Sequence, residues 1–154
     1  MILAFDPGDT TGVCVFKENG DVASLSQLSL SEFLAWAATY EPEEPVTTLV
    51  IEDYVLFAKR AVKQSGSRMK ASQVIGALKL LAIRLNATVV MQPSSIMPIA
   101  SKWSQIYLPA NHAQSHQIAA FLHGYYWLVQ QGRVKTPLQK EAEARNGKEA
   151  ESRQ

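Results

Sequence analysis

Met1-Ile2-Leu3-Ala4-Phe5-Asp6-Pro7-Gly8-Asp9-Thr10-Thr11-Gly12-Val13-Cys14-Val15-Phe16 is the N-terminal stretch of the chain. An apolar run ends on a carboxylate, turns through Pro-Gly, and re-enters an apolar run. The pattern predicts a strand over Ile2–Asp6, a turn over Pro7–Gly12 and a second strand over Val13–Lys17. Asp6 is thereby delivered to a sheet end. A carboxylate there has two employments, holding a divalent cation or facing a phosphate, and this stretch alone leaves both open.

Further along, Asn19-Gly20-Asp21 is a hairpin signal leading into a strand over Val22–Leu28. Ser29 or Ser31 caps a helix through Phe33, Leu34, Trp36 and Ala37, with Glu32 in its first turn. Glu41-Pro42-Glu43-Glu44-Pro45 ends it, and Thr47–Glu52 reads as a strand buried on both faces. A loop over Phe57–Lys70 precedes a helix marked by Val74, Leu78, Leu81 and Leu85. Gly76 inside that helix costs about 1 kcal/mol relative to Ala, which close packing would explain. A fifth strand over Thr88–Met91, a short helix over Ile96–Trp103 and a long helix from about Asn111 to Gln131 complete the folded part. One domain over residues 1–136 is expected, with a polar, disordered tail over 137–154. The order β-β-β-α-β-α-β-α-α predicts an α/β fold, a mixed five-stranded sheet flanked by helices. Strands one and four would be adjacent and parallel, so Asp6 and Glu52 would emerge at the same sheet end.

The chain has 154 residues, 47% of them hydrophobic, enough for one core, and a net charge of only +1. The charge is unevenly placed. Residues 1–53 carry ten carboxylates and one basic residue, Lys17, whereas residues 54–140 carry eleven Lys and Arg and no carboxylate. This suggests an acidic part supplying a metal site and a basic part facing a polyanion. The one cysteine, Cys14, lies in a strand, which excludes a disulfide framework and a cysteine zinc site. No apolar stretch approaches the roughly 18 residues that span a bilayer, so no membrane association is expected, and a soluble, cytoplasmic protein is.

Carboxylates ending two neighbouring strands can converge on Mg²⁺, which takes oxygen ligands and keeps several waters. Asp6-Pro7-Gly8-Asp9-Thr10-Thr11-Gly12, then Val50-Ile51-Glu52-Asp53-Tyr54, a basic loop, and Gln73-Val74-Ile75-Gly76-Ala77-Leu78 together resemble the RuvC-type Holliday junction resolvases. The similarity spans roughly residues 1–130 and is greatest to the bacteriophage-encoded branch of that family. It implies the RNase H-like fold, a homodimer, and metal-dependent nicking of four-way or other branched DNA with a two-metal Mg²⁺ or Mn²⁺ site. It also implies that Asp6 and Glu52 are metal ligands. Asp53 is the neighbouring alternative, but side chains alternate along a strand and only one of the two should face the site.

The remaining family ligands lie on the final helix, an acidic residue or His followed three residues later by Asp. Here His116 matches the first and Ala119 occupies the second. Residues i and i+3 share a helical face, so the pair would stand side by side. Alanine cannot hold a metal, and no nearby carboxylate can replace it. The chain is either an engineered Asp-to-Ala variant or a natural pseudo-nuclease; the persistence of Asp6, Glu52 and His116 favours the former. Either way it should bind branched DNA and cleave it poorly. His112 and His116 lack a third partner for a transition-metal site, and His123 is expected to pack or hydrogen-bond beneath the catalytic positions.

Lys59, Arg60, Lys63, Arg68 and Lys70 give the central loop a sequence-independent affinity for phosphates, and Phe57 at its edge could stack on a base exposed at a junction. Two other classes compete with a nuclease. Asp6-x-Gly8-x-Thr10-x-Gly12 also resembles the nucleotide loop of actin and sugar-kinase-like phosphate-binding modules, which need a second such domain. A non-catalytic branched-DNA-binding protein would explain Ala119 directly.

Overall fold

The computed structural model describes residues 1–53, 70–108 and 115–151. Its strands are β1 (Ile2–Asp6), β2 (Thr10–Phe16), β3 (Val22–Ser29), β4 (Thr48–Asp53) and β5 (Thr88–Pro93). Its helices are α1 (Leu30–Thr39), α2 (Lys70–Leu85), α3 (Met97–Ser104), α4 (Ser115–Gln130) and α5 (Pro137–Glu151), with one 3₁₀ turn at Ser94–Ile96. The sheet order is β3-β2-β1-β4-β5. β1 pairs antiparallel with β2 and parallel with β4, and β4 pairs parallel with β5. The expected mixed five-stranded sheet flanked by helices is what forms.

Alternation along the strands divides the core between the two sheet faces. Leu3, Phe5, Val13, Val15, Leu49 and Ile51 face α1 and α2, where they meet Phe33, Val74 and Leu78. Ile2, Ala4, Cys14, Phe16 and Val50 form the opposite face and meet Ala120, Trp127 and Leu128 of α4. The central strands are covered on both sides, and their apolar runs follow from that.

Several boundaries differ from the sequence reading. β2 starts at Thr10, inside the expected turn, because Asp6 pairs with Gly12 and the two β-branched threonines extend the ladder. β5 runs on to Pro93, adding Gln92 to the sheet. Gly76 marks no close packing among the described residues: a Cβ there would meet none of their atoms within 4 Å. The segment expected as a disordered tail is helical over Pro137–Glu151. Its start is closed by a reciprocal cap, with Thr136 N–H donating to Gln139 Oε1 at 2.8 Å and Gln139 N–H donating to Thr136 Oγ1 at 3.3 Å. Pro137 suits the first helical position, which needs no N–H. Composition suggested disorder, and local capping overrides it. No helix among the described residues is long and apolar enough to cross a membrane.

Both ends of α1 are satisfied. Ser29 closes the start as a capping box, accepting from Glu32 N–H while Glu32 Oε2 accepts from Ser29 N–H at 2.8 Å. At the other end the Arg84 guanidinium of α2 donates to the carbonyls of Ala37, Ala38 and Tyr40 at 3.0, 2.6 and 2.8 Å. A cation is favourable there, where the helix leaves carbonyls unpaired. Arg84→Ala is expected to lower unfolding free energy by about 2 kcal/mol in urea denaturation, while Lys79→Ala on the same helix changes it little.

Candidate functional site

The β1–β4 register pairs Phe5 with Ile51, so the next residues, Asp6 and Glu52, lie side by side where both strands end. Parity sends both side chains to the α4 face, with Ala4 and Val50. Asp53 points the other way and is exposed. A small cleft of about 40 Å³ opens here, bounded by Asp6, Pro7, Glu52 and Asp53.

α4 crosses this sheet end with almost no clearance. A Cβ on Gly12 would collide with the backbone of His116 and Gln117, and one on Gly124 with Phe16 and Ala4. The second glycine of the Asp6–Gly12 motif therefore serves as the seat of a helix. That close approach brings His116 to Asp6, with Nδ1 2.8 Å from Oδ2. One turn on, Ala119 is buried beneath the helix (7% exposed). One turn further, the wholly buried His123 places Nε2 3.2 Å from Glu52 Oε2 and Nδ1 3.0 Å from Gln92 Oε1. The Nε2 contact is an ion-pair approach rather than an aligned hydrogen bond, since that nitrogen has no hydrogen-bond partner by geometry.

The electrostatics follow from two carboxylates sharing a partly dry cleft. Burial raises the Asp6 pKa to about 6, with the neighbouring Glu52 charge adding to the rise and His116 opposing it. Burial also pushes Glu52 upward, but its contacts with His123 and Asp6 and the charges of both histidines outweigh that and leave it below its usual range. Below about pH 6 one proton is thus held by the two acids, on the Asp6 side.

The sequence reading named Asp6, Glu52, His116 and Ala119, and the fold gathers all four. Lys70, read as a phosphate contact, lies 3.0 Å from Asp9, tying α2 to the β1–β2 turn. Phe57, Lys59, Arg60, Lys63, Arg68 and His112 lie outside the described residues. Gln92 was not foreseen. Carrying the alternation of β5 one step further, from Val90, would have placed it beside Glu52.

Asp6 and Glu52 offer hard oxygen donors, and the proton they share occupies the place a cation would compete for. The donor set suits a single divalent ion completed by water. Among the described residues no group of three or more His, Cys, Asp or Glu could hold a metal.

No protein-family model and no curated protein sequence matches the chain. Among solved structures, T. thermophilus RuvC in complex with Holliday junction substrate superposes with a TM-score of 0.56 at 12% identity, over 88% of this chain and 98% of that one. A Thermus thermophilus RuvC structure gives 0.49 at 11% identity over the same shares, 88% and 98%. The fold is RuvC-like, a mixed five-stranded sheet flanked by helices.

Two outcomes are expected. Gly12→Ala should destabilise the protein by about 1–3 kcal/mol and displace α4, which a denaturation curve and the His116 ring signals in NMR would register. The pH dependence of stability should carry the mark of Asp6, whose pKa is about 6 when folded against an ordinary 3.8. Within that window the folded state holds more protons than the unfolded chain, so stability falls as pH rises through it. Glu52 acts oppositely and lower, its stabilisation being lost as pH falls through its depressed pKa. Urea midpoints should decline with rising pH until Asp6 is ionised, and Asp6→Asn should remove the decline.

Proposed function

We propose that the chain carries the site of a structure-selective endodeoxyribonuclease, one that nicks Holliday junctions and other branched DNA, with one position of that site changed. The observation that supports this most is the convergence of Asp6, Glu52 and His116 at one sheet end of a RuvC-like fold. Asp6 and Glu52 would be the carboxylates that hold Mg²⁺ or Mn²⁺. When bound, the ion would polarise the scissile phosphate and generate a nucleophilic water at neutral pH.

The protein's own groups supply the rest. His116 donates from Nδ1 to Asp6, which orients the carboxylate and leaves Nε2 to take or return a proton. Its side chain is 37% exposed, so that nitrogen can meet a substrate phosphate. The cleft beside Pro7 admits little more than a water-sized group, which suits a phosphate oxygen approaching from outside and no base or sugar. The basic residues Lys59, Arg60, Lys63 and Arg68, with Phe57, would hold the branched DNA. The reading extends to a homodimer of the phage-encoded branch, acting in the host cytoplasm.

Ala119 removes one anionic group from α4, so the chain as it stands should bind junctions and cut them poorly. A purely non-catalytic branched-DNA-binding protein is the second reading, and Ala119 favours it. The actin or sugar-kinase reading loses its support at Gly12, whose open side is filled by the α4 backbone, leaving no room there for a nucleotide phosphate.

Gel shifts should show this chain binding a four-way junction more tightly than linear duplex of equal length, with affinity falling steeply as salt rises. Ala119→Asp should then gain Mg²⁺- or Mn²⁺-dependent nicking of the junction by at least a hundredfold. A folded, junction-binding Ala119→Asp protein that cuts no better would leave the non-catalytic reading standing. Absence of junction preference in both would refute the assignment.

A further inference from the structure

His123 combines complete burial with two ring nitrogens that need partners. Elsewhere on α4 wholly buried positions are filled by Ala120, Leu122 and Leu128, which carry no such requirement. The imidazole is placed between two side chains of neighbouring strands. The β4–β5 register pairs Glu52 with Gln92, and paired residues of adjacent strands project from the same sheet face. Gln92 is itself 5% exposed and presents Oε1 to Nδ1 at 3.0 Å. Which ring nitrogen carries the hydrogen follows the tautomer, and either way the contact with Gln92 fixes the plane of the ring. The ring is thereby held with Nε2 3.2 Å from Glu52 Oε2.

Glu52 needs such a partner. Its carboxylate adjoins that of Asp6, and once both are ionised repulsion between them favours rotation of the Glu52 side chain toward solvent, to which it is already 22% exposed. A ring on the inner side, held against the sheet with a nitrogen 3.2 Å from Oε2, opposes that rotation. His116 cannot do this, because its Nδ1 is engaged by Asp6 at 2.8 Å.

We infer that His123, oriented by Gln92, is the positioning residue that holds the Glu52 carboxylate turned toward Asp6. The two histidines of α4, seven residues apart and so on one helix face, each serve one carboxylate. His116 addresses the outer edge of the pair and His123 the buried one. This rests on the reading of Asp6 and Glu52 as a cation-holding pair, and it adds two residues, His123 and Gln92, to what that pair depends on.

The test uses the whole chain with Mn²⁺ as probe, in His123→Phe, Gln92→Met, His123→Gln and Glu52→Gln. Mn²⁺ binding is followed by electron paramagnetic resonance, and the His123 ring nitrogens and Glu52 carboxyl carbon by NMR. Loss of an outer-shell partner typically weakens metal binding by about 10–100-fold, so the dissociation constant should rise at least tenfold in His123→Phe and in Gln92→Met. His123→Gln, whose amide can still reach Glu52, should recover part of the loss. Glu52→Gln should shift the His123 Nε2 resonance, and Gln92→Met the Nδ1 resonance. Should His123→Phe fail to fold, Gln92→Met carries the same comparison, since it leaves the buried ring in place. Unchanged Mn²⁺ affinity in a folded His123→Phe or Gln92→Met protein, with Glu52→Gln weakened, would overturn the inference. So would an Nε2 resonance indifferent to Glu52→Gln. If Glu52→Gln binds Mn²⁺ as the parent does, the cation reading fails by itself, and the Nε2 resonance and Glu52 carbon shift decide whether His123 holds Glu52.

Discussion

The seating of α4 against the sheet is the constraint from which the site follows. The helix lies so near β1 and β2 that neither Gly12 nor Gly124 could carry a Cβ without striking it or its neighbours. Between these two glycines the helix presents His116, Ala119 and His123 to the strand ends. An ordinary helix-on-sheet separation of about 10 Å is kept by side chains that interdigitate; glycine permits a closer approach and shortens the reach each histidine must make. A histidine side chain is short, and contacts of 2.8 and 3.2 Å to two carboxylates depend on that closeness. The tight turn at Pro7-Gly8 and the helix seat at Gly12 belong to one motif, so a single stretch of sequence both delivers Asp6 and makes room for its partner.

Holding two carboxylates side by side in a partly dry cleft is unfavourable, and the surrounding groups are arranged to offset it. Asp6 retains its proton up to about pH 6, and below that pH the like-charge repulsion is removed. Glu52 stays ionised because His123 faces it from the buried side. The carboxylates are thereby unequal: one takes up a proton near pH 6, the other is fixed as an anion. That asymmetry arises from their neighbours, since by register the two residues are nearly equivalent.

Much of this was legible in the sequence, for particular reasons. Period-two alternation around Ala4 and Val50, with a carboxylate two residues beyond each, specifies strand, face and end together. His116 was legible only beside a family pattern, because an isolated histidine on a helix has no distinctive surroundings in sequence. Gln92 escaped notice because a polar residue before Pro93 resembles the beginning of a loop, and only the register with Glu52 shows it inside the sheet. The pairing of Lys70 with Asp9 was equally hidden, since a loop rich in cations gives no indication that one of them is taken up by a carboxylate sixty-one positions earlier. The helix after Pro137 was missed because its cap is a local hydrogen-bond arrangement between Thr136 and Gln139, which overall polarity does not report.

Ala119 sits in the middle of this arrangement, and what surrounds it is costly. A buried acid whose pKa is raised to about 6 subtracts stability at neutral pH, and apolar replacements of similar volume often relieve such a burden. In a chain with no use for charge at this sheet end, Asp6, Glu52, His116, His123 and Gln92 would together be an expensive way to fill a small space. Ala119, buried under the helix between the two histidines, adds no polar group of its own, so the charge at this sheet end rests on Asp6 and Glu52 and on the histidine that faces each.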